Sequence, residues 1–305
     1  MKKILFSLIV FVSTGLIVYY QYRLWVFNAF IDSSNRIDYE AFGTYGDFFG
    51  GVFGTIFTII SVIIIYWTYQ NQKEVHKKEQ IESRFFELLR LHEKNVEGLT
   101  CTDSNIFKIY LGNINNFVKI IKNFNKDQNK NWNNEVELKL AYLYFFYGNT
   151  DYTIERLKGI EIEVDEVNIL SEHMRDIGIN YKGVYPEFGK YFRQLFQLVN
   201  YIDQKSELKY FDKVQYIKSL RVRLNLEEQY LLFLNSLVSN GLDWEKGKKD
   251  PNKQLITKYN LLKNIPKEYP QINAVDFQAI YPNIQYESSG DKKTEERKKL
   301  EKLYT

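Results

Sequence analysis

The chain has 305 residues, and 41 Lys and Arg stand against 38 Asp and Glu, a net charge of +3. That balance excludes a polybasic nucleic-acid coat and an acidic disordered tail, so no direct nucleic-acid binding is expected. Hydrophobic residues make up 45% and prolines number only 5, so most of the chain should fold.

Ile4 to Tyr20 runs seventeen residues without a charge, and Phe48 to Tyr69 runs twenty-two. A bilayer core of about 30 Å needs about 20 helical residues, so both blocks read as spans, about 4–20 and 48–69. Tyr19, Tyr20, Trp25, Tyr66, Trp67 and Tyr69 stand at their ends, where interfacial aromatics belong. The first block could instead be a signal peptide cleaved near Ser13-Thr14-Gly15, but apolar sequence continues through Ile17 and Val18. Lys2 and Lys3 precede the first block, and Lys73, Lys77, Lys78 and Arg84 follow the second. The positive-inside rule then puts both termini in the cytoplasm, with a short outer loop between the spans. The expected place is a bacterial inner membrane, crossed twice.

Within the second span Gly46, Gly50 and Gly54 repeat every four residues, with Thr58 one step further. Small residues at this spacing let helix backbones approach closely. The partner is either the first span or another chain, which would make a homo-oligomer. Asp47 is expected to cap the start of this helix.

From Asn71 to Leu99 the sequence reads as a stalk helix, with Ile81, Phe85, Leu88, Leu89, Val96 and Leu99 at helical spacing. Further helices are expected over Ile106–Phe124, Glu135–Tyr147, Thr150–Leu157, Val164–Arg175, Phe188–Asp203, Leu208–Val222, Leu226–Leu237 and Gln254–Leu262. Asn225 with Glu228 forms a capping-box signal for the seventh of these, and Gly241 is read as its end. Beyond Asn264 the prolines Pro266, Pro270 and Pro282 suggest an extended arm, followed by a charged tail from Ser288 to Thr305 that reads as solvated or as a frayed helix. Strand signals are weak throughout. The fold expected is all-α: a two-span N-terminal hairpin over 1–70, a cytoplasmic helical domain over 71–263, and an arm and tail over 264–305.

Catalytic chemistry is hard to find. One Cys, Cys101, and three His residues, His76, His92 and His173, offer no metal centre. There is no phosphate-binding glycine loop and no nucleophile elbow. The acidic pairs Glu161 with Glu163 and Asp165 with Glu166 read as a solvated face. His92 follows Arg84 and Arg90 at spacings that fit a helical ribonuclease poorly, so it reads as a core-edge or surface residue. Arg193, Arg221 and Arg223 lie among aromatic and aliphatic residues. They are read as structural, stacking on rings or pairing with Glu227 or Glu228; the functional alternative is an anion or nucleotide site. No catalytic residue, cofactor or metal is expected.

Three segments carry a family likeness: Phe42 to Leu99, including GDFFGG and FFELL; Lys190 to Asp203 (KYFRQLFQLVNYID); and Ser219 to Gly241, including SLRVRL. Together they resemble the phage abortive infection proteins of the AbiC type, membrane-anchored proteins of bacteria. The likeness covers about two-fifths of the chain; Thr100 to Pro186 matches nothing nameable. It implies antiphage defence and carries over no catalytic residue. The partners expected are a lipid bilayer and other copies of the chain, from the apolar blocks and the glycine ladder, and an unknown phage protein as trigger. On this reading the helical domain senses a phage product and the hairpins disturb the membrane. The alternatives are a tethered module that binds a phage protein, or an unrecognised helical ribonuclease.

Overall fold

The structure is a computed structural model, which describes residues 2–26, 31, 36, 38–99, 105–157, 160, 162–179, 181–245, 251–290 and 293–304. Cys101, Glu161 and most of the expected outer loop lie outside the described residues. Among the described residues the fold is all-α, with helices α1 to α12 and no strand beyond an isolated bridge between Glu245 and Gln254. The chain divides into two compact units, Met1–His76 and Lys77–Thr305.

The first unit holds α1 (Lys2–Val26) and most of α2 (Tyr39–Leu99). The Tyr20 and Tyr45 rings stack at 6.5 Å between centroids. Asp38, not Asp47, caps α2: its carboxylate accepts from the backbone N–H of Glu40 at 3.1 Å and Ala41 at 3.0 Å. The helix starts two turns before the uncharged block does, which leaves Asp47 exposed on its side. Among the described residues α2 is the one helix long and apolar enough to cross a membrane, and its most apolar 18-residue window has no buried residue. A Cβ built at Gly46, Gly50 or Gly54 meets nothing within 4 Å.

The second unit begins with the end of α2. Ile81, Phe85, Leu89 and His92 are buried at spacings of four, four and three, one stripe of the helix. Phe85 meets Tyr216 edge-on at 5.2 Å, and Asn95 donates to Gln194. The polar stretch from Lys73 to Gln80 is exposed. Then follow α3 (Ile106–Asp127), α4 (Asn134–Tyr147), α5 (Asp151–Arg156), α6 (Val164–Asp176), α7 (Tyr185–Asp203), α8 (Tyr210–Arg221) and α9 (Leu226–Ser236). Asn105 and Asn133 cap α3 and α4, and the Asn225–Glu228 capping box is complete at α9. Helix α4 is apolar on every side and is the central helix, with Leu138 to Tyr147 all buried except Lys139.

After α9, which ends at Ser236 rather than Gly241, a 3₁₀ turn spans Ser239–Trp244, and α10 is only Leu255–Tyr259, closed by Asn260 in the left-handed region at φ 51°. The stretch from 264 to 290 is not an extended arm. Prolines prevent long helices there, but short turns and α11 (Phe277–Ile280) bury Ile265, Ile272, Val275, Phe277, Tyr281, Ile284 and Tyr286 in the common core. The charged tail forms α12 (Glu295–Tyr304), and its Arg297 is 2% exposed.

Candidate functional site

Helix α7 places Tyr185, Gly189 and Arg193 one turn apart on the same face. Gly189 has no side chain to hold its neighbours off. A Cβ there would come within 2.9 Å of the Tyr185 ring and 3.2 Å of the Arg193 guanidinium. The ring therefore lies over the glycine, and Arg193 sits 5.7 Å from the ring centroid and donates to the Tyr185 hydroxyl at 3.4 Å. Arg156, the last residue of α5, repeats the arrangement: it donates to the Tyr152 hydroxyl at 2.9 Å and lies 5.1 Å over that ring. The Tyr152 hydrogen bond is the chief reason its already high pKa is raised further. Among the described residues neither guanidinium has a carboxylate partner.

Both arginines flank a cavity of about 410 Å³. Its walls are Phe146, Phe192, Phe196 and Trp244, with Gln197, Asn235 and Asp243 as the polar members. Trp244 is held edge-on to Phe196 at 5.1 Å, and Asn235 is fixed by donating to the Tyr142 hydroxyl at 3.0 Å. The volume and the mix of aromatic wall with a few polar groups are those of a small-molecule site.

The other arginines singled out in the sequence are elsewhere. Arg221 donates to the carbonyls of Tyr259 at 3.4 Å and Asn260 at 3.2 Å, at the end of α10, and burial lowers its pKa. Arg297 takes the two preceding carbonyls, Thr257 at 2.6 Å and Lys258 at 3.0 Å. Two guanidiniums thus donate to the carbonyls at the end of one short helix, where the Tyr210 hydroxyl also donates to Lys258 at 2.9 Å. Arg223 pairs with Glu93 of α2, not with Glu227 or Glu228. Glu228 instead completes the α9 cap and accepts from Tyr191 at 3.0 Å.

Among the described residues, those weighed for catalysis are not assembled. His92 is 3% exposed and neither ring nitrogen has a hydrogen-bond partner among the described residues, while Arg84 pairs with Glu87 at 2.7 Å and Arg90 is exposed. His173 packs on Phe124 at 5.2 Å. Glu166 accepts from Lys130 at 3.0 Å and from the Trp132 indole at 3.2 Å; the Lys130 bond, foremost, holds its carboxyl below the usual range. No group of three potential metal ligands occurs among the described residues. The sequence singled out Arg193 but missed Arg156 and Gly189. A lone Arg in a six-residue helix has no pattern, and a helical glycine usually marks only weakness.

Residues 184–270 match the model of a family described as "Putative phage abortive infection protein". The resemblance read from the sequence is shown for that segment. No curated protein and no solved structure matches the chain. The matched segment supplies every lining residue of the cleft except Phe146 and Arg156.

Proposed function

We propose that this chain is a membrane-anchored abortive infection protein, whose Lys77–Thr305 unit senses a product of phage infection and whose N-terminal hairpin then disturbs the inner membrane. The family match over 184–270 is the observation that carries the defence role. The apolar, unburied stretch of α2 supports the anchor. The cleft, built largely from the matched segment, is the place where a product would be read.

A plaque assay tests the role. Cells making the protein should lower plaque counts for at least one phage of a broad panel, and uniform plating across the panel counts against defence. Replacing residues 1–70 by an unrelated two-span anchor tests the mechanism. Protection should vanish and infection should no longer depolarise the cells, as read by a membrane-potential dye. A tethered inhibitor or a nuclease would protect with any anchor. Gly50→Leu with Gly54→Leu is a milder form. The described chain leaves both positions open, so a loss of protection reports on a contact with another helix.

A further inference from the structure

We propose that the cleft between α5, α7 and the Ser239–Trp244 turn binds a nucleotide, with its phosphate between Arg156 and Arg193 and its base against the aromatic wall. This rests on reading the cleft as the sensing site.

A guanidinium has five N–H donors. Arg156 and Arg193 each spend one on a tyrosine hydroxyl and stack on that tyrosine's ring, which fixes the plane and leaves the other donors for a ligand. Two such forks, without carboxylate partners among the described residues, suit the oxygens of a phosphate. Arg156 and Arg193 bring two positive groups to the cleft, which gives it an attraction for anions. A bare anion would have no use for Phe192, Phe196 and Trp244, whereas a planar base does. Gln197 offers an amide, a group that reads base edges. The cleft volume, about 410 Å³, lies in the range of small-molecule sites.

The test is isothermal titration of the full-length protein in detergent. The probes are the common ribonucleoside mono- and triphosphates, adenosine, inorganic phosphate, and a Glu-Tyr peptide. At least one nucleotide should bind saturably, with adenosine and inorganic phosphate at least about tenfold weaker. Arg156→Gln and Arg193→Gln should each weaken binding by a similar factor. Gly189→Leu keeps both charges but fills the space beneath Tyr185, and it should abolish binding. Lys190→Gln makes the same charge change outside the cleft and should leave binding intact. A melting curve for each variant separates lost binding from lost fold.

The proposal is overturned if no nucleotide binds the folded chain, or if Lys190→Gln weakens binding as much as Arg193→Gln. It is equally overturned if inorganic phosphate binds as tightly as any nucleotide, or if the peptide is the tightest probe. Because binding is read on purified protein, nucleotide binding without phage protection would count against the defence role alone. Protection without nucleotide binding would count against this inference alone.

Discussion

His92, buried, and Glu245, half-buried, give this unit opposing responses to pH. The His92 ring lies 5.0 Å from Tyr191, and burial lowers its pKa to about 4 despite the upward pull of Glu93. In the unfolded chain it protonates near 6.5. Its contribution to stability is therefore complete above pH 6.5 and is lost as pH falls toward 4. Glu245 behaves in the reverse sense. It accepts from the Thr257 backbone at 2.8 Å and from its hydroxyl at 3.2 Å, yet burial outweighs these bonds and raises its pKa to about 7. The protonated form suits the fold, so its contribution is complete below about pH 4.5 and is lost as pH rises to 7. Each shift is about 2.5 units, or roughly 3 kcal/mol. Between pH 4.5 and 6.5 the two slopes oppose each other. Denaturant titrations across that window should give a nearly flat profile for the parent. His92→Phe should make stability fall with rising pH, and Glu245→Gln should make it rise. Parallel profiles for all three proteins would show that neither group titrates as its burial demands.

At the scale of elements, helices such as α3 and α7 were legible because apolar residues recur at helical spacing, and α9 because Asn225 and Glu228 stand where a capping box belongs. Residues 264–290 were not. Three-residue turns have no period, and prolines signal only where long helices cannot form; nothing local shows that Phe277 or Tyr286 will be buried. The last helix was legible as a helix in a charged tail but not as a packed one: a run of Lys, Arg and Glu reads as solvated, and only the fold shows that Arg297 reaches into the end of α10. Arg297→Met should take one donor from each of those carbonyls, which keep the Tyr210 hydroxyl at Lys258 and the Asn260 N–H at Thr257, and should cost about 1–3 kcal/mol. A lowered melting temperature with early trypsin cleavage between 290 and 304 would report it; unchanged protection from trypsin would show that α12 is held by other contacts. A second prediction concerns the connection between α4 and α7. Gly148 at φ 81° and Gly183 at φ 78° cross so closely that a Cβ on either would lie within 2.4 Å of the other's strand of backbone. Gly148→Ala and Gly183→Ala should each cost at least about 2 kcal/mol, from the left-handed conformation and the clash together. Gly178→Ala is the control, for it has a similar φ of 78° but open space around it. It should show only the smaller conformational cost.

For the whole molecule, the sequence revealed the class and the family likeness because both depend on contiguous stretches. The cleft stayed hidden because its arginines come from helices 37 residues apart and its Trp from a turn beyond them. Membrane placement is the last prediction, and it follows from exposure. Ile56, Ile59, Val62 and Ile65 are 43% to 67% exposed along one helix. Leaving such side chains in water forgoes about 1.5–3 kcal/mol each, so the stretch needs lipid or another chain around it. Lipid is favoured by the uncharged length and by the cationic residues that follow at Lys73, Lys77 and Lys78. Cys101 is the single cysteine, so Cys101→Ser gives a clean background for labelling. Ser206→Cys lies on an exposed turn after α7, and Ser33→Cys lies between the expected spans, outside the described residues. In intact cells an impermeant maleimide should label position 33 after outer-membrane permeabilisation, and position 206 only after lysis. The reverse pattern would invert the topology. Recovery of the full-length chain in the soluble fraction without detergent would remove the membrane from the account altogether.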